Sequence, residues 1–120
     1  MSKKTVVIGT SPKVDRYSNR AVRMLKRNGH EVIALGFENA RIDDVIIQTD
    51  WGLYDDVDTV SLYLNPHKQR AYYEYILSLH PKRIIFNPGT ENDELEQLAV
   101  KNNIIPLEAC TLVMLSTGQY

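Results

Sequence analysis

Short β-branched runs alternate along this chain with stretches of helical periodicity. Thr5-Val6-Val7-Ile8 is continuously apolar, as expected of a strand buried on both faces. The spacing of Ala21, Met24 and Leu25 predicts a helix over Ser18–Asn28, with Arg20, Arg23, Lys26 and Arg27 on its other side. Ser18 suits its N-cap, and Gly29 suits a left-handed stop. Glu31–Leu35 is the second predicted strand, which completes a strand-helix-strand unit.

The middle of the chain offers a short strand at Val45-Ile46-Ile47, a turn over Trp51–Asp56 and a strand over Val57–Leu64. Asn65 and Pro66 fit the cap and first position of a following helix. Tyr72, Tyr73, Ile76 and Leu77 form its inner stripe, and His80-Pro81 closes it. Arg83–Phe86 is a strand, Asn92–Lys101 a helix burying Leu95, Leu98 and Ala99, and Asn103–Leu107 the last strand. Thr111–Ser116 fits a terminal helical turn. Such alternation predicts an α/β fold, a Rossmann-like three-layer sandwich with a mostly parallel sheet of five to six strands. No linker, repeat or low-complexity tract divides residues 1–120, so a single domain is expected.

Composition adds exclusions. A net charge of -1 weighs against a nucleic-acid partner. One cysteine, Cys110, precludes an intrachain disulfide and suits a reducing, cytoplasmic setting. No apolar run is long enough for a signal or a membrane span. His30, His67 and His80 do not pair at metal-ligand spacing, so no metal is expected.

Candidate chemistry lies at the carboxyl ends of the strands, where open parallel sheets bind ligands. The first strand ends in Gly9-Thr10-Ser11-Pro12, the second in Gly36-Phe37, and later ones in Tyr63-Leu64-Asn65-Pro66, Asn87-Pro88-Gly89-Thr90 and Ala109-Cys110-Thr111. Gly9 permits close backbone approach, and the start of the first helix can hold a phosphate with Lys13 and Arg16 nearby. The loop lacks the further glycines of a dinucleotide fingerprint, and the acid after the second strand, Glu38, lies late. There is no P-loop and no Gly-x-Ser-x-Gly elbow. No nucleophile, base and orienter can be named together, so no catalytic residue is assigned.

Val7-Ile8-Gly9-Thr10-Ser11-Pro12, Asp15-Arg16-Tyr17-Ser18-Asn19-Arg20-Ala21 and Gly29-His30-Glu31-Val32-Ile33 together resemble the small single-domain CoA-binding proteins, which are similar to the CoA-binding domain of succinyl-CoA synthetase. The resemblance extends through Asn87-Pro88-Gly89 and Glu108-Ala109-Cys110. It implies a coenzyme A or acyl-CoA ligand. It places Gly9, Thr10, Ser11, Pro12, Arg16, Tyr17 and Ser18 at the phosphates, and Gly36 and Phe37 by the adenosine. Tyr63, Leu64 and Asn65 fall near the middle of the ligand, with Asn87, Pro88 and Gly89 further along. Two departures stand out. Phe86-Asn87-Pro88-Gly89 replaces an aromatic-Ile/Leu-Gln-x-Gly run, and Gly36-Phe37-Glu38-Asn39 lacks an Asn-Pro.

The expectation is an accessory, non-catalytic binding module for a small nucleotide ligand, compatible with a homodimer. The alternatives are an NAD(P)-binding or redox-sensing protein using Glu38, a thioester-handling enzyme using Cys110, and a scaffold for protein interactions without nucleotide affinity.

Overall fold

A computed structural model describes residues 2–120. The elements run β1 (Thr5–Thr10), α1 (Tyr17–Arg27), β2 (Val32–Gly36), β3 (Ala40–Ile42), β4 (Val45–Gln48) and β5 (Thr59–Leu62). There follow α2 (Pro66–Gln69), a 3-10 turn (Arg70–Tyr72), α3 (Tyr73–Ser78), β6 (Arg83–Phe86), α4 (Asp93–Lys101), β7 (Ile105–Glu108) and α5 (Thr111–Ser116). All the strands join one sheet in the order β3-β4-β2-β1-β5-β6-β7. Every pairing is parallel except β3 with β4.

The sheet is the middle of three layers. Val6, Ile8, Val60, Leu62, Ile84 and Phe86 face Ile76 of α3, Leu79 just after it, and Leu95 and Ala99 of α4. Val7, Ala34, Val45 and Ile47 face Val22 and Leu25 of α1 and Leu115 of α5. Val6, Val7 and Ile8 of β1 are fully buried, so each contributes about 1.5–3 kcal/mol of apolar burial. This is why the first run lacks alternation: both of its faces are covered.

The sheet has seven strands, one more than the upper expectation. The addition is β3, which folds back on β4 through Asp43-Asp44, with Asp43 at φ +53°. Ala40-Arg41-Ile42 is too short to carry a periodic signal, and its pairing with β4 supplies the order. The predicted Pro66–His80 helix is interrupted by the 3-10 turn. Ser18 does not cap α1: Arg16 occupies the cap position, and among the described residues no side chain caps that end.

β7 is an edge strand. The Ile105 and Ala109 N–H groups donate inward to the Lys82 and Phe86 carbonyls, so residues of the other parity face the open edge. Pro106 is one of them, and its missing N–H blunts the edge against further strand pairing.

The chain adds β2 and β4 on one side of β1, and β5, β6 and β7 on the other. Strand order therefore reverses between β1 and β5, and a crevice opens above their carboxyl ends.

Candidate functional site

Gly9 begins the site as a bulge. Ile8 pairs with Leu35 and Thr10 with Gly36, so the register slips at Gly9, which takes φ +92°. A Cβ there would lie 3.1 Å from the Tyr63 carbonyl carbon and from Leu64 Cδ2. The bulge thus presses the β1 loop against the β5 loop. Thr10 is buried, and its hydroxyl donates to the Val7 carbonyl at 3.0 Å.

The loop after the bulge is fixed by its own polar groups. The Ser11 N–H donates to Ser18 Oγ at 3.0 Å, and the Lys13 N–H to Ser11 Oγ at 3.1 Å. Asn19 Nδ2 donates to the Ser11 carbonyl at 3.0 Å, and its Oδ1 accepts from Arg23 Nε at 2.9 Å. Ser18 and Asn19 are accordingly buried. Their role is to brace the loop, and this is why Ser18 is not free to cap.

Arg20 is the first residue of α1 whose N–H reaches back along the helix, to the Arg16 carbonyl at 3.0 Å. The amides of Tyr17, Ser18 and Asn19 precede it, and no acidic residue lies in the first turn. The positive end of an eleven-residue helix is therefore left open at the cationic cap residue Arg16. Tyr17 is exposed at this end, with the Arg20 guanidinium 5.6 Å from its ring.

Two cavities meet at the bulge. One, of about 200 Å³, is lined by Gly9–Pro12, Phe37, Glu38, Tyr63, Leu64, Asn65 and Lys68. The other, of about 290 Å³, is lined by Gly9, Ser11, Arg16, Tyr17, Ser18, Tyr63, Asn65 and Pro88–Thr90. They share Gly9, Ser11, Tyr63 and Asn65, and so form one groove crossing the β1 loop. A larger cavity, of about 740 Å³, lies at the amino ends of the strands, among Lys4, Glu31, Asp55–Asp58 and Lys82. It lies at the opposite end of β1 and β5 from the crevice above their carboxyl ends.

A family model described as a CoA binding domain matches residues 3–116. The chain belongs to that family. It is similar over 100% of its length to a crystal structure of an uncharacterized protein, with 47% identity, TM-score 0.97 and 99% of that chain covered. Two more distant structures share the fold. One is cell-free ID.343 from Thermus thermophilus, at 16% identity and TM-score 0.84, covering 99% of this chain and 91% of that one. The other is a hypothetical protein from Pyrococcus horikoshii OT3, at 21% identity and TM-score 0.85, covering 97% and 83%. Curated protein sequences give no match.

Within this CoA-binding fold the candidate residues separate by role. Gly9, Thr10, Ser11, Pro12, Arg16, Tyr17, Ser18, Phe37, Tyr63, Leu64, Asn65, Pro88 and Gly89 line the groove. Gly36 and Asn87 line neither half. A Cβ on Gly36 would lie 2.4 Å from the Thr10 carbonyl oxygen, so this glycine serves strand pairing. Asn87 is buried beneath the groove. Its Nδ2 donates to Ser61 Oγ at 3.0 Å and to the Leu62 carbonyl at 2.9 Å, and its Oδ1 accepts the Thr111 N–H at 2.8 Å. Asn65 caps α2, accepting the Lys68 N–H at 2.9 Å.

Tyr63 spans both halves. Its hydroxyl is buried near the Ser61 and Thr111 hydroxyls without a well-aligned partner among the described residues, and burial raises its pKa above the ordinary tyrosine value. Cys110 is half-buried at the start of α5 and lines neither half of the groove.

Thr90, the last residue of the loop after β6, lines the far half. Two residues escape the sequence reading. Lys68 lines the near half with its Nζ 5.9 Å from the Phe37 ring. Gln69 is fully buried, and its Nε2 donates to the Leu64 and Thr90 carbonyls at 2.8 Å each. It clamps the β5 loop to the β6 loop. A glutamine between helical residues gives no local sign of this, because both acceptors belong to other loops.

Proposed function

We propose that this chain binds coenzyme A or an acyl-CoA along the groove, as an accessory module that performs no chemistry of its own. The observation that carries the reading is the uncapped start of α1, which opens on the groove beside Arg16. Free amides at the positive end of a helix favour a phosphate diester or diphosphate. Family membership makes CoA the natural bearer of that diphosphate. The nucleotide lies in the Phe37 half and the pantetheine arm passes Tyr63 toward Pro88 and Gly89. Cys110 lines neither half of the groove, which favours this reading over a thioester-handling enzyme that uses Cys110. The single cysteine also fits a protein of the cytoplasm, and among the described residues no helix is long and apolar enough to cross a membrane.

The test is a thermal-shift series with CoA, acetyl-CoA, NAD, ATP and buffer, repeated on Arg16→Ala. CoA and acetyl-CoA are expected to raise the melting temperature and NAD to leave it unchanged, with a smaller CoA shift in Arg16→Ala. A shift with NAD and none with CoA overturns the ligand assignment.

A further inference from the structure

We propose that Lys68 selects a phosphorylated ribose, so that this chain prefers an adenosine ligand carrying a 3′-phosphate over the same ligand without it. The inference rests on the CoA reading above and adds a residue that decides between ligands. The Phe37 half of the groove holds two opposite charges, Glu38 and Lys68. Neither belongs to any ion pair found among the described residues.

Phe37 is 53% exposed and offers its ring as a platform. It is held from behind by Trp51, 5.5 Å away, whose indole N–H donates to the Gly36 carbonyl at 3.0 Å. An aromatic platform beside a phosphate loop suits a base and its ribose. The hydroxyls of an unmodified ribose would be met by a carboxylate acceptor, as Glu38 provides. A ribose phosphate would be repelled by Glu38 and attracted by an ammonium.

Lys68 supplies that ammonium from the first turn of α2. Asn65 and Pro66 fix the turn, so the side chain is presented to the groove from a defined backbone. Its Nζ rests 5.9 Å from the Phe37 ring centre, a contact that leaves its charge available to an anion. Arg16 sits in the other half, beyond the bulge. The groove therefore carries two separate cationic positions, and CoA carries phosphate at two separate places. A dinucleotide without a ribose phosphate would occupy only one of them.

The experiment is titration calorimetry of CoA and 3′-dephospho-CoA against wild type, Lys68→Ala and Lys68→Arg. Lys68 is exposed, so the substitutions leave the core untouched. Wild type is expected to bind CoA about ten- to a hundredfold more tightly than dephospho-CoA, the range of one charged hydrogen bond. Lys68→Ala is expected to bring that ratio close to one by weakening CoA alone, and Lys68→Arg to keep most of it. A preference that survives in Lys68→Ala overturns the proposal. So does equal binding of both ligands by wild type, an outcome that leaves the CoA reading standing. Binding of neither ligand removes the CoA reading, and this inference with it.

Discussion

Gly36 and Gly9 both follow apolar runs, yet they are glycines for different reasons. At Gly36 the added atom would meet the Thr10 carbonyl oxygen at 2.4 Å and Ile47 Cγ2 at 2.8 Å, both within the packed sheet. Neither can withdraw cheaply, and overpacking of this kind costs about 1–3 kcal/mol. Gly36→Ala is therefore expected to lose about 3 kcal/mol in urea unfolding, with a slope unchanged from wild type. A loss below about 1 kcal/mol would mean that the strand pair is free to part there. Gly9 combines close neighbours with φ +92°, so a valine at this position would strain the fold as well as obstruct a phosphate. Arg16 and Lys68 are cleaner probes of binding. Asn87 teaches the same point: a loop asparagine looks like a ligand contact in sequence, but its three hydrogen bonds hold β5, β6 and α5 together.

The strands and helices were largely legible, because burial on both faces imposes unbroken apolar runs and one-sided burial imposes helical spacing. β3 was not, since a three-residue strand has no period to read. The break after α2 was also hidden. Gln69, its last residue, turns inward to serve two loops. Gln69→Leu keeps the volume and leaves the Leu64 and Thr90 carbonyls without that donor. Each unsatisfied buried group costs about 1–3 kcal/mol, so a loss of about 2–4 kcal/mol is expected in chemical denaturation. CoA affinity should fall too, because the two loops line the two halves of the groove.

At the β7 edge, Glu96 of α4 approaches Glu108, with Asp93 nearby. Burial, then the Glu108 carboxyl, pushes the Glu96 pKa up to about 7. Two ionised carboxylates only accept, so the pair is joined by a hydrogen bond only when one holds a proton. A folded-state value above the unfolded one means that the native state binds the extra proton. Stability from Glu96 is thus present below about pH 4.5 and lost as pH rises through about 7. The stability difference between wild type and Glu96→Gln should shrink or reverse from pH 5 to pH 8. A difference constant across that window would contradict the assignment.

For the whole molecule, the decisive feature is the reversal of strand order between β1 and β5. It gathers the β1, β2, β5 and β6 loops, distant in sequence, around one groove. A ligand held by all of them binds only the native fold, so its binding energy adds to global stability. At about 100 times its dissociation constant, CoA should raise the unfolding free energy by about 2.7 kcal/mol. A clear melting shift should follow at that concentration. The same increment read from urea unfolding would establish that the whole fold, not one loop, responds.

The sequence by itself determined the α/β alternation, the glycine-led loop after β1, the family resemblance and most of the groove's lining. These depend on local period, on special backbone positions and on contiguous motifs, all of which a linear chain records. Only the tertiary structure decided that Gly36 and Asn87 support the site from behind, that Ser18 braces a loop instead of capping, and that Lys68 joins the lining. Those roles depend on which distant loops the crossovers bring together. No residue carries that information in its immediate neighbours.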